Sequence, residues 1–221
     1  MNRYHLAFVL ALPVLTATTA GSLAGMGRQD SFVQVTKTLP GRDTDTLVFK
    51  KNGKTVRCGM SGNATKEEDK ALDRLKNRHS EPTEFDSGAT LEMMMGAQTG
   101  TNAFDQTKGA VLTGYFVKLT PEKEESCNCG SPKSVDWDFH CFLAFTPSPN
   151  QNERIVFEVT PRMRFWSKAQ LQKLVGKRIR ITGWIADDFK HSGESEADSP
   201  GKPGNWRASC WEIHPVTNIE V

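Results

Sequence analysis

The chain has no strong charge of either sign: 28 lysines and arginines face 26 aspartates and glutamates over 221 residues. Nothing global therefore draws it to nucleic acid or to an anionic membrane surface, and any electrostatic signal must be local. Long apolar runs are missing beyond the N-terminus, so no later segment is a transmembrane candidate. There is no internal repeat, and no phosphate-loop, nucleophile-elbow or zinc-helix motif, which removes the enzyme classes those motifs carry. Cysteine is scarce and odd in number: the five, at 58, 127, 129, 141 and 210, leave at least one unpaired.

What is present begins with an address. Arg3 precedes an apolar stretch from Leu6 to Leu15, and Thr18, Ala20, Ser22 and Ala24 follow, the pattern of a secretory signal peptide over residues 1–24. Cleavage after Ala20 or Ala24 satisfies the small-residue rule, and no cysteine follows the apolar stretch to hold a lipid. Pro13 and the interspersed threonine and glycine leave the stretch short of the roughly 20 residues a bilayer span needs. The expected location is secreted or periplasmic, where disulfides persist.

Residues 25–103 read as an extension. Residues 46–51 and 54–58 are strand-like and separated by Asn52-Gly53, a tight hairpin turn. Residues 65–77 read as an amphipathic helix with Ala71, Leu72 and Leu75 on one face, capped by Thr65 with Glu68 three residues on. The stretch 80–103, rich in glycine, threonine and methionine, carries no assignable element.

Residues 104–221 have more order. Strand patterns cover 110–119, 137–145 and 154–160. A helical pattern follows, with Leu171, Leu174 and Val175 at helical spacing and Gly176 as its left-handed stop. Ile179, Ile181, Gly183 and Ile185 then alternate with Arg178, Arg180, Thr182 and Trp184 over a strand at 178–186, and a last strand covers 208–221. In the second strand Trp137, Phe139, Cys141, Leu143 and Phe145 form an apolar face, with Asp136, Asp138 and His140 opposite. The order β-β-β-α-β-β predicts a mainly β chain with a five-stranded Greek-key barrel of the oligonucleotide/oligosaccharide-binding (OB) type.

In that fold the loops at 120–136 and 187–207 flank the ligand face. Both carry more acids than bases, which weighs against nucleic acid without removing it. A basic run, Arg154, Arg162, Arg164, Lys168, Lys173, Lys177, Arg178 and Arg180, faces only Glu158; it reads as a solvated polar face or as a surface for an anionic partner. Trp184, Trp206 and Trp211, if exposed, would stack on sugars or bases, with Arg178 and Arg180 as companion ligand contacts.

Two acid-x-His pairs, Asp138-Phe-His140 and Glu212-Ile-His214, each lie on one face of a strand. Another strand separates them, about 10 Å in all, which argues against shared ligation. The better cluster joins Asp136, Asp138 and His140 to Asp187, Asp188 and His191 at the barrel mouth. No cofactor is certain; a divalent metal such as zinc is the candidate there. The competing reading makes His140 and His214 structural, each hydrogen-bonded to a strand neighbour. Pro215 marks an edge or bulge. Cys127-Asn-Cys129 reads as a soft-metal or reactive-thiol pair or as disulfide partners, a bond to Cys58 tying the extension to the barrel. Cys141 and Cys210 read as buried small hydrophobes.

Residues 109–221 resemble OB-fold modules. Ser126-Cys-Asn-Cys129, Asp138-Phe-His140, Glu158-Val-Thr-Pro161, Gly176-Lys-Arg-Ile-Arg-Ile-Thr-Gly-Trp184 and Trp211-Glu-Ile-His-Pro-Val-Thr217 together resemble a group of secreted bacterial proteins without an assigned activity. Staphylococcal-type nucleases share the barrel, but their arginine and carboxylate signature is missing here. The expected function is a non-catalytic exported module binding an oligosaccharide, nucleic acid or protein at the barrel face. The competing class is a metal-dependent hydrolase, with Asp138, His140 and His191 as ligands and Asp187 as base. A third is an envelope protein binding another protein through its extension.

Overall fold

The computed structural model describes residues 31–41, 44–122 and 125–221, so the signal-peptide reading lies outside the described residues. A hairpin comes first, β1 (Leu47–Lys51) and β2 (Lys54–Cys58), joined by Asn52-Gly53 as the turn pattern requires. Leu47, Phe49, Cys58 and Cys129 form a small core beneath it, closed by a Cys58–Cys129 disulfide. The hairpin is thus fastened to the loop after the first barrel strand.

The barrel strands are β3 (Gly109–Glu122), β4 (Asp138–Ala144), β5 (Ile155–Val159), β6 (Arg178–Asp187) and β7 (Trp211–Glu220), closed in the order β3-β4-β5-β7-β6. β5 and β7 run parallel and the other pairs antiparallel, the topology expected of an OB-type barrel. Closure depends on the long β3. Its first half pairs with β6 and its second half with β4, and a register shift between Phe116 and Lys118 bends it from one partner to the other.

The core is the inward set of these strands, including Ile179, Ile181 and Ile185 of β6 and Cys141 and Leu143 of β4. Two short helices add buried side chains to it. α3 (Lys168–Gln172) starts with a capping box between Ser167 and Gln170 and buries Leu171; Gly176, at φ +87°, ends the turn that follows. α2 (Leu91–Gly96) lies in the stretch that showed no pattern. Thr90 caps it by accepting from the Met93 N–H, and Leu91 and Met94 are its only buried anchors.

α1 (Glu67–Lys76) departs from the expected orientation. Its N-cap is Lys66, without a side-chain hydrogen bond, and its buried residues are Leu72, Asp73 and Lys76 instead of the Ala71–Leu72–Leu75 face. The helix covers polar groups on the barrel, so polarity on its inner face is matched by what lies beneath. Phe145, expected inside, is 54 % exposed because β4 ends at Ala144.

The bulge at Pro215 is present: the β6–β7 register shifts on both sides of Gly183. A Cβ at Gly183 would collide with the Pro215 carbonyl oxygen and lie 2.6 Å from Ile213 Cγ2. Gly183→Ala should therefore lower the unfolding free energy by about 1–3 kcal/mol in urea denaturation. An unchanged midpoint would show that the bulge has room to spare.

Candidate functional site

Alternation on β4 sends Asp138, His140 and Phe142 outward, onto the face between the two long loops. All seven residues of the strand are nevertheless buried, because the two loops lie over this face, Cys127 and Asn128 against Asp138 and Trp206 against His140 and Phe142. Toward one end the cover is incomplete and leaves a cleft of about 280 Å³, lined by Lys118, Glu125, His140, Phe142, Gln151, Arg154, Glu158, His191 and Trp206. Trp206 is its organising wall. Its ring meets His140 at 5.4 Å, His191 at 5.3 Å and Phe142 at 6.0 Å, all edge-on. Its indole N–H donates to Glu194 at 2.9 Å, and its carbonyl accepts from Arg154 Nε at 3.1 Å. The Arg154 guanidinium in turn lies 4.1 Å over Phe142.

Behind the cleft is a buried polar network. β5 does lie between β4 and β7, as the topology argument held, but it carries Glu158 at the intervening position. His140 Nε2 is 3.7 Å from Glu158 Oε1, and His214 Nδ1 is 3.5 Å from Glu158 Oε2. One carboxylate therefore joins the two acid-x-His pairs, correcting the expectation that distance keeps them apart. His214 Nδ1 also meets Glu212 at 3.1 Å, and Arg207 Nη2 donates to Glu212 at 2.8 Å. The expected strand-neighbour partner of His214 is thus present, within a larger network.

On the other side Asn128 Nδ2 donates to Asp138 Oδ2 at 2.5 Å, and the Cys127 thiol lies 3.2 Å from Glu125 and 3.5 Å from Asp138. Lys76, from the inner face of α1, sits 2.8 Å from Asp188, 3.7 Å from Glu125 and 3.9 Å from Glu212.

Burial and neighbouring carboxylates divide the protonation states of these groups. Burial, with Glu125 and Glu158 beside it, pushes the Asp138 carboxyl well above the ordinary range, so it is the group that holds a proton. Burial works against the charge on Glu125 too, but Lys76, a hydrogen bond from Asp138 and His214 outweigh it and hold that carboxyl low. Glu212 is likewise held well below its ordinary value: burial opposes its charge, and Lys76, His214 and Arg207 prevail. For His214, burial favours the neutral ring, but Glu158 and Glu212 raise its pKa to about 10. Burial followed by Glu125 and Asp138 keeps Cys127 a thiol.

The metal cluster expected at the mouth does not assemble. Asp187 turns away: its carboxylate accepts from the Thr99 hydroxyl at 2.7 Å and the Gly100 N–H at 2.8 Å. His191 lines the cleft but is held by Glu194 at 2.7 Å, and Asp188 is taken by Lys76. Asp136, expected beside Asp138, accepts instead from Ser131 at 2.7 Å. The loop acids expected to repel nucleic acid are internal acceptors as well. Glu196 takes Asn152, Gly201 and Asn205, and Asp198 takes Ser195 and Thr99.

Of the three ligand-stacking tryptophans, Trp206 alone reaches the cleft. Trp211 is 1 % exposed, packed edge-on against Phe104 in the core, with its N–H donated to Gln98. Trp184 is covered by the Arg78 guanidinium and donates to Ser80. Arg178 and Arg180 belong to β6, which pairs with β3 and β7 and contributes no residue to the cleft lining. Arg180 makes two bonds to Glu220, and both guanidinium groups lie over Phe32. The basic run is not one solvated face either. Arg162 is fully buried, donating to Asn77, Thr44, Cys58 and Gly59, and Arg164 lies over Phe139 while donating to the Val135 and Trp137 carbonyls.

Sequence reasoning passed over Glu158, Lys76, Glu125 and Arg207. For Glu158 a signal exists, as the single charge in the strand Ile155-Val-Phe-Glu-Val159, all of it buried. No family model matches the chain, and neither curated proteins nor solved structures give a match.

Proposed function

We propose that the chain is an exported OB-fold-like binding module that takes a neutral polyhydroxylated ligand, an oligosaccharide, in the cleft on β4 and β5. The carrying observation is the cleft's lining: an aromatic wall of Trp206 and Phe142, the cations Lys118 and Arg154, and the carboxylates Glu125 and Glu158 in equal number. Trp206, with the buried Phe142 behind it, offers a stacking surface to a sugar ring, and balanced charge with Gln151 and two imidazoles offers donors and acceptors without selecting an anion. A phosphate chain would need an excess of cations along the groove. Export is supported by the signal-peptide pattern and by the Cys58–Cys129 disulfide.

Fluorescence titration of the purified protein with chitooligosaccharides, cellooligosaccharides and oligothymidylate is the test. A sugar should perturb tryptophan emission, and Trp206→Ala should weaken its binding about tenfold, the worth of one aromatic contact. Binding of oligothymidylate with steep salt dependence, and of no sugar, would replace this reading with a nucleic-acid one. Binding of neither would reject the module as described.

A further inference from the structure

We infer that the buried network behind the cleft is a binding site for one divalent transition-metal ion of the zinc class, with Asp138, Glu158 and His214 as ligands. Their ligand atoms lie within 4.8 Å of one another, each supplied by a different strand of the barrel. A second set, Glu125, Cys127 and Asp138, meets the same distance and shares Asp138, which places a sulfur donor beside the oxygen and nitrogen donors. Oxygen, nitrogen and sulfur together suit zinc and its neighbours in the first transition row better than calcium or magnesium, which favour oxygen alone.

The second observation is that the three ligand side chains have atoms left over. Asp138 Oδ1, Glu158 Oε2 and His214 Nε2 are buried and make no hydrogen bond among the described residues, although such groups are nearly always satisfied. Their other atoms are supported in the manner of metal ligands. Glu212 holds His214 Nδ1 at 3.1 Å, Arg207 holds Glu212, and Asn128 holds Asp138 Oδ2. A carboxylate on the far nitrogen of an imidazole fixes the ring so that its near nitrogen faces the metal. His214 Nδ1 lies between Glu212 and Glu158, and Nε2 is the ring nitrogen left without a partner among the described residues.

Charge points the same way. Asp138, Glu158, Asp188 and Glu212 are buried around Lys76 and Arg207, with the half-buried Glu125 at their edge, so carboxylates outnumber permanent cations in a space largely shielded from water. Uncompensated buried charge is costly. Glu158 lines the open cleft and Cys127 lines a second opening beside α1, so the site has a path to solvent.

The test uses the purified chain stripped with chelator and dialysed against zinc or cobalt(II). Close to one equivalent should remain by mass spectrometry of the metal, with a raised thermal midpoint, and cobalt should give visible bands of low-symmetry coordination. A thiolate charge-transfer band would add Cys127 as a further ligand; its absence leaves the oxygen and nitrogen set. Asp138→Asn and Glu158→Gln should abolish stoichiometric retention, and Glu212→Gln, acting through His214, should weaken affinity by about 10–100-fold. Retention unchanged in folded Asp138→Asn and Glu158→Gln, or lost only in His140→Ala, overturns the site. If the ligand variants do not fold, the wild type decides: no retained metal, or a cobalt spectrum matching the aqua ion, overturns it. Oligosaccharide titration is read separately, so either result stands without the other.

Discussion

Arg207→Met is expected to lower the unfolding free energy by about 3–5 kcal/mol, the cost of removing one member of a buried ion pair. Arg207 is 0 % exposed and donates to the Ser209 carbonyl at 2.6 Å, the Cys210 carbonyl at 3.0 Å and Glu212 at 2.8 Å. Methionine restores much of the volume, so the loss would report charge and hydrogen bonding more than a cavity. Glu212 would then share Lys76 and His214 with Glu125 and Glu158, leaving the network more negative still. The double variant Arg207→Met/Glu212→Leu should recover most of the loss, because a buried pair replaced as a unit is often neutral. Urea denaturation of the two single variants and the double variant measures the coupling. A single-variant loss below about 0.5 kcal/mol, the scale of an ordinary surface change, would show that Arg207 does not hold this network together.

The barrel was legible because its strands obey the two-residue period on the buried side. Ile179, Ile181 and Ile185 must face inward whatever lies outside, and Gly183 is forced where Pro215 and Ile213 press on the backbone. The site was legible only in part, since its chemistry depends on what covers the outer face. Asp138 and His140 were recognisable as an outward pair, yet burial of that face comes from loops without a periodic apolar pattern, and the helix beside them turns inward a face that its apolar residues do not mark. α1 shows this most clearly. Its best apolar face is Ala71, Leu72 and Leu75, but Asp73 and Lys76 turn inward because the surface beneath is charged. A hydrophobic-pattern argument has no means of choosing that rotation. Trp211 was misplaced for the reverse reason. Two places along in the same strand, Ile213 is core, and Trp211 shares its face, so strand alternation already placed it inside.

Removing the Cys58–Cys129 bond should cost about 4 kcal/mol and lower the thermal midpoint by about 10 °C, on the chain-entropy reading of a bridge between residues 71 apart. Cys58→Ala/Cys129→Ala is the suitable variant, because the sulfurs lie in an apolar pocket with Leu47 and Phe49 and serine would bury unpaired hydroxyls there. The bond does more than join two strands. It fixes one end of the 125–137 loop, which carries Glu125 and Asn128 to Asp138, and Lys51 supports the same loop through the Gly130 carbonyl at 2.8 Å. On the barrel side, Arg162 holds the Cys58 and Gly59 carbonyls at 3.2 Å. Loss of the bridge therefore should loosen the hairpin and the loop together while the barrel core persists. Hydrogen exchange reads the difference: protection should fall across β1, β2 and the loop and stay high in β6. Uniform loss of protection would mean that the bridge stabilises the fold globally, and a midpoint shift under about 2 °C would mean that Arg162, Lys51 and the small apolar core already hold the hairpin without it.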